Sequence, residues 1–201
     1  MRWSHCHVHY RPSDLVAKAK EIDPDNPEIY VFMGIDAIDH GDPAGAQRAF
    51  ETYVSLKPTE PSGYNNLAAA FFNAGEPRRA IDLLNHAITQ NPGHVGGSIL
   101  QQMCSSYFML GDNDAAIEWC QKTVEHKPTW PTRAYADLAM AYAGKGDDAK
   151  SRATAAEMRR SDPDTKLSAF LDRPDSWSSA AYKELYESKL VPAWRRAGLP
   201  E

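Results

Sequence analysis

Four residues of types that commonly bind transition metals stand within five positions near the start of the chain: His5, Cys6, His7 and His9 in the run SHCHVHY. Imidazole and thiolate are the usual ligands of zinc and copper. On a helix His5 and His9 share a face, and on a strand His5, His7 and His9 do, so either conformation presents two or three ligands. A structural zinc site needs four ligands fixed by a fold and an outer shell of hydrogen bonds. The next histidine, His40, stands in a different predicted hairpin. The cluster therefore reads as a terminal segment with adventitious metal affinity, a metal-binding protein that uses these residues is the alternative, and no cofactor is expected.

Other combinations fail sooner. Cys6, Cys104 and Cys120 are an odd number at scattered spacing with no CxxC pair, which reads as free thiols in a reducing, cytoplasmic compartment rather than a disulfide framework. Cys104 and Cys120 fall on predicted packing faces, where a thiol serves as a small apolar group without a histidine to activate it. The oxygen-rich DPDNPE at 23–28 lacks the glycine and final glutamate of a calcium loop, and Gly144 and Gly146 follow no strand that could make them a phosphate loop. A catalytic role is not expected.

The bulk properties agree. Of 201 residues 42% are hydrophobic and 24% charged, ordinary for a globular protein. No run approaches the roughly 18 consecutive apolar residues of a membrane span, and Met1-Arg2-Trp3 leads into histidines rather than an apolar leader, so the chain reads as soluble. The net charge of −5 and the isolation of Arg78-Arg79, Arg159-Arg160 and Arg195-Arg196 among acids argue against nucleic acid as a partner.

What organises the chain is repetition. EIDP, SLKP, TQNP, EHKP and RSDP end at Pro24, Pro58, Pro92, Pro128 and Pro163, at intervals of 58−24=34, 92−58=34, 128−92=36 and 163−128=35. Between these stops lie the turns DHGDPAGA, NAGEPRRA, MLGDNDAA and GKGDDAKS. In each a glycine can take the left-handed conformation that closes one helix, and the acid after it can cap the next. Each unit is predicted to be a helix hairpin. Its first helix carries a large residue, an apolar one three later, then a small one: Tyr30, Met33, Gly34; Tyr64, Leu67, Ala68; Leu100, Met103, Cys104; Tyr135, Leu138, Ala139. An aromatic commonly follows, as at Phe71, Tyr107 and Tyr142, with Ala37 in that place in the first unit. The second helices continue with Ala46, Phe50 and Tyr53; Ala80, Leu84 and Ala87; Ala116, Cys120 and Thr123; and Ser151, Ala155 and Met158, giving one apolar stripe per helix.

These marks and this period resemble the tetratricopeptide repeat. The resemblance implies an all-α, right-handed superhelix of helix hairpins. It divides the chain into a partial repeat at 1–26, with only the second helix in SDLVAKAKEIDP, four repeats at 27–60, 61–94, 97–130 and 132–163, and a helical capping tail at 164–201. It also implies a non-catalytic module for protein interaction. More loosely, the last repeat and the ending WRRAGLPE resemble the tails that follow class III nucleotide cyclase or winged-helix regulator domains in bacterial signalling proteins, without the cyclase itself.

In the resembled family the first helices line a concave groove, and one subclass clamps a peptide carboxylate there with a lysine and asparagines. The matching positions are Val31, Ile35, Asn66, Ser98 and Gln102, of which only Asn66 fits. The groove expected instead contains Val31, Ile35, Ile38, Asn65, Ala69, Phe72, Asn73, Gln101, Ser105, Phe108, Met109, Arg133, Ala136 and Met140. Its apolar stripe flanked by amides suits an extended or helical apolar segment. The chain's own tail or a second copy of the chain, in a homo-oligomer or self-assembling scaffold, could cover the same stripe. In the tail, Asp175 or Ser176 is predicted to cap a helix to about Lys189, with a last short helix at Pro192 ending at Gly198. Trp177, Tyr182, Leu185, Tyr186, Leu190 and Trp194 are expected to pack on the final hairpin around Leu138 and Tyr142, because that needs no long return connection.

Overall fold

The computed structural model describes residues 12–93, 95–126, 131–166 and 179–200. The His5, Cys6, His7 and His9 cluster lies outside the described residues. Among those described every regular element is helical: α1 (Pro12–Ile22), α2 (Glu28–Asp39), α3 (Pro43–Leu56), α4 (Pro61–Asn73), α5 (Pro77–Gln90), α6 (Gly97–Leu110), α7 (Asn113–Glu125), α8 (Pro131–Lys145), α9 (Asp148–Ser161), α10 (Ala180–Leu185) and α11 (Val191–Arg196).

The helices begin and end where local chemistry requires. Asp42, Asp112 and Asp147 each accept a backbone N–H three residues on, at 2.7, 3.2 and 3.1 Å, and so cap α3, α7 and α9. Glu76, at the same place before α5, makes no such bond, and Pro77 in the first turn of that helix removes one N–H that would need a partner. Gly75 and Gly111 close α4 and α6 with φ of +84° and +91°, a region where other residues are strained.

Helices α2–α3, α4–α5, α6–α7 and α8–α9 are hairpins, each packed on the next, and the first helices α2, α4, α6 and α8 also touch in succession to form an inner layer. The result is an α-solenoid. The predicted stripes form its core: Tyr64, Leu67, Phe71, Leu84 and Leu138 are all buried. The small residues have the expected purpose. A Cβ at Gly34 would run into the ring of Phe50, itself buried, and Ala68, Cys104 and Ala139 at the equivalent positions are fully buried.

The tail departs from expectation in two ways. Ser179, not Asp175 or Ser176, caps the described helix by accepting the Tyr182 N–H at 3.1 Å; the other two lie outside the described residues. The helix also does not stop near Lys189. It continues through a widened π turn (Tyr186–Leu190) into α11, and the Val191 N–H bonds back to the Tyr186 carbonyl, five residues earlier. Pro192 has no N–H and its ring crowds the carbonyl four residues before it, and a turn with i→i+5 bonds lets the helix pass the proline unbroken.

Candidate functional site

The tail helix lies along the inner layer, across the C-terminal ends of three successive first helices. At α4, the Ser179 N–H bonds to the Asn73 carbonyl at 3.0 Å, and the Tyr182 ring meets the Phe72 ring edge-on, centroids 5.4 Å apart. At α6, Lys189 Nζ donates to the Met109 carbonyl at 2.7 Å. At α8, α11 packs on the helix, and Arg196 Nε donates to Asp148 Oδ1, just past the turn, at 3.0 Å. A helix rises about 1.5 Å per residue, so the steps from Ala181 to Lys189 and on to Arg196 cover about 10–12 Å each, close to the spacing of packed helices. Two cations thus reach successive hairpins: Lys189 at the C-terminal carbonyls of α6, where the helix dipole favours positive charge, and Arg196 on the Asp148 carboxylate at the start of α9.

This placement corrects the expected packing around Leu138 and Tyr142. Those two residues instead cluster with Cys104 and Cys120. Tyr182, Tyr186, Leu190 and Trp194 join the main core with Phe72, Phe108, Met109, Ala136 and Met140. Trp194 is fully buried, its indole N–H bonded to the Pro200 carbonyl at 2.8 Å, and Arg159 holds the Gly198 carbonyl at 2.8 Å. The tail therefore covers the last hairpin from the inner side and reaches back to the second full hairpin. Gly75 admits it closely: a Cβ there would lie 2.8 Å from the Ala181 Cβ and 2.9 Å from the Tyr182 nitrogen.

The expected groove residues consequently divide into two sets. Phe72, Asn73, Ser105, Phe108, Met109, Ala136 and Met140 are buried, and Gln101 and Arg133 are half-buried. Val31, Ile35, Ile38, Asn65 and Ala69, on α2 and α4, keep exposed or half-buried surface, with Ile35 47% exposed. Asn65 Oδ1 is buried without a hydrogen-bond partner.

Beneath the tail sits a polar knot on Asp137, which is 1% exposed. Its Oδ2 accepts from Ser105 Oγ at 2.6 Å, Gln101 Nε2 at 2.7 Å and Arg133 Nε at 3.1 Å. Burial works against the charge on Arg133, but the Asp137 carboxylate outweighs it and holds the guanidinium pKa above its ordinary value. Gln101 and Ser105 are thus committed to joining α6 to α8 rather than offered to a ligand. The repeat marks do not single out Asp137; an acid amid Ala136, Leu138 and Met140 is the signal that could have found it.

Cys104 and Cys120 are joined in a disulfide between α6 and α7, correcting the expectation of free thiols. Apolar packing faces brought them together, with Cα atoms 4.8 Å apart, a separation a disulfide spans readily. Among the described residues no group of three or more His, Cys, Asp or Glu side chains could hold a metal ion, and no helix is long and apolar enough to cross a membrane.

Comparison with known proteins bears on the whole array. The tetratricopeptide repeat family profile matches residues 33–95. The crystal structure of MamA superposes with a TM-score of 0.62 at 31% sequence identity, covering 75% of this chain and 88% of that one. The chain belongs to the tetratricopeptide repeat family. YrrB, described as a tetratricopeptide repeat protein with an unusual peptide-binding site, shares the fold at a TM-score of 0.62 and 19% identity, over 90% of both chains. The protein O-mannosyl-transferase Tmtc3 of Drosophila melanogaster is 28% identical over 137 residues, 68% of this chain. The chain spans only 14% of that protein's length.

Proposed function

We propose that this tetratricopeptide repeat chain is a non-catalytic protein-interaction module whose inner face takes an apolar helical segment, and that its own tail occupies most of that face. The observation that carries this reading is the seat of the tail: an amphipathic helix lies across α4, α6 and α8, with aromatic groups against Phe72 and one cation at each of two helix ends. A surface that accepts one such helix has the shape and chemistry for another of the same kind. The partner is a protein or peptide, with neither nucleic acid nor membrane as ligand. The resemblance of the ending to bacterial regulator tails supports placing the module within a signalling protein. The bonded Cys104–Cys120 pair favours an oxidising compartment over the cytoplasm suggested by the cysteine count.

The test uses the tail as its own probe. A chain shortened to end at Lys166 is titrated with a fluorescent peptide of residues 179–200. Saturable binding that is lost in Phe72→Asp, with little binding to the full chain, is the expected result. Equal binding by the shortened chain and its Phe72→Asp variant, or none by a shortened chain that remains helical, would overturn the reading.

A further inference from the structure

Among the described residues the start of the array is open in a way that the rest is not. Adding the repeat intervals of 34, 36 and 35 aligns Phe32 with Asn66, Gln102 and Asp137, and Ile35 with Ala69, Ser105 and Met140. Along α8 this face turns toward the preceding first helix: Asp137 takes its hydrogen bonds from Gln101 and Ser105 on α6. On α2 the same face has no first helix before it among the described residues, because α1 is the second helix of its hairpin. Phe32 is 60% exposed and Ile35 47%, whereas Asp137, Ser105 and Met140 are buried. On α1, Ala17 to Ile22 are exposed as well.

Between α1 and α2 this leaves a cavity of about 340 Å³ lined by Val16, Ile29, Phe32, Ile35, Asp36 and Asp39. Neither acid meets a lysine or arginine among the described residues: Asp36 Oδ1 is buried without a hydrogen-bond partner, with His40 Nδ1 3.4 Å away. Asp39 forms no ion pair among them. An apolar trough that two acids also line complements an apolar side chain with a lysine or arginine about a turn away.

We propose that this trough is the seat of an amphipathic, basic helix from a separate protein, which lies beside α2 where the later hairpins carry a preceding first helix and pairs with α1. The guest lies beside α2 as α6 lies beside α8, its apolar groups on Phe32 and Ile35 and its cation on Asp36 and Asp39. The array then continues into its partner end to end, since stacked repeats bury such faces on a neighbour. This site lies at α1 and α2 and does not require the tail to leave the inner face.

The experiment uses the full chain with its tail in place and a helix-stapled fluorescent peptide with leucines on one face and two flanking arginines. Saturable binding is expected, weakened at least tenfold by Phe32→Glu, by Asp36→Asn with Asp39→Asn, and by exchanging the peptide's arginines for glutamates. The unfolding midpoint of Phe32→Glu should stay near that of the parent, because the ring is mostly in solvent. Three results would overturn the proposal. The glutamate peptide binds equally well, or Phe32→Glu binds unchanged, and the trough is not the seat. Binding appears only after residues 1–11 are removed, and the chain's own start is the occupant. Light scattering shows a dimer that Phe32→Glu dissolves, and a second copy fills it. Loss of the tail peptide's binding in Phe72→Asp, by contrast, tests only the inner face.

Discussion

Arg133 and Asp137 stand one turn apart on α8, with Arg133 Nε 3.1 Å from Asp137 Oδ2, and the carboxylate is buried while the arginine side chain keeps 25% of its surface. The same oxygen also accepts from Ser105 and Gln101 on α6, so one buried atom ties two adjacent repeats together. Removing it strands three donors at once. Asp137→Ala should cost about 3 kcal/mol, the low end for breaking a buried pair because Arg133 can still reach water. Asp137→Asn keeps an acceptor oxygen and should lose clearly less. Urea unfolding of both variants checks this, and equal losses would mean that the knot contributes little beyond packing.

Gly34 and Phe50 give a prediction of opposite origin. Alanine is the better helix former, so Gly34→Ala should gain up to about 1 kcal/mol if only propensity mattered. Its Cβ, however, would overlap the buried Phe50 ring, and overpacking typically costs about 1–3 kcal/mol. The variant should therefore be less stable than the parent, and adding Phe50→Leu should recover part of the loss. Denaturation of the single and double variants reads the coupling between the two sites.

The hairpins were legible because period and punctuation are local. Gly75 and Gly111 announce helix ends, Asp42, Asp112 and Asp147 announce helix starts, and the stripe Tyr64, Leu67, Phe71 announces burial. The tail's path was not legible. Its aromatics, Tyr182, Tyr186 and Trp194, say only that something must cover them, and the inner face and the end of the array both offer apolar surface. What decides is a set of matches distant in sequence: Ala181 to Gly75, Tyr182 to Phe72 and Lys189 to the Met109 carbonyl. The disulfide escapes the sequence for a related reason. Periodicity puts Cys104 and Cys120 on packing faces, but which two side chains meet across a hairpin depends on helix rotation that spacing alone leaves open.

The Cys104–Cys120 bond closes a loop with a sequence separation of 16. On the chain-entropy account a loop of this length stabilises by about 3 kcal/mol. Reduction, or Cys104→Ser with Cys120→Ser, should lower the thermal midpoint without loss of helix content, because Leu138 and Tyr142 still cover the site. In the oxidised, denatured chain a thiol reagent should find one cysteine, Cys6, and three after reduction. Three reactive thiols without reductant would show that the pair is not joined.

Acid should loosen the last hairpin through Asp147. Its carboxylate accepts the Lys150 N–H at 3.1 Å at the start of α9, and that backbone bond, reinforced by the Lys150 side chain, holds its pKa below the ordinary 3.8. A carboxyl group whose pKa is lower in the folded state binds protons more weakly there than in the unfolded chain. The stability it contributes is therefore fully present above the unfolded value and is lost as pH falls through the folded one. Comparing the parent with Asp147→Ala should show a stability difference that is constant near neutrality and shrinks once pH drops below about 4. Arg196 adds a control, since it bonds Asp148 and not Asp147. Arg196→Gln should lower stability at neutral pH while leaving the acid-dependent part of the Asp147 difference in place. A difference between parent and Asp147→Ala that stays flat down to pH 2 would show that the cap draws nothing from the ionised carboxylate.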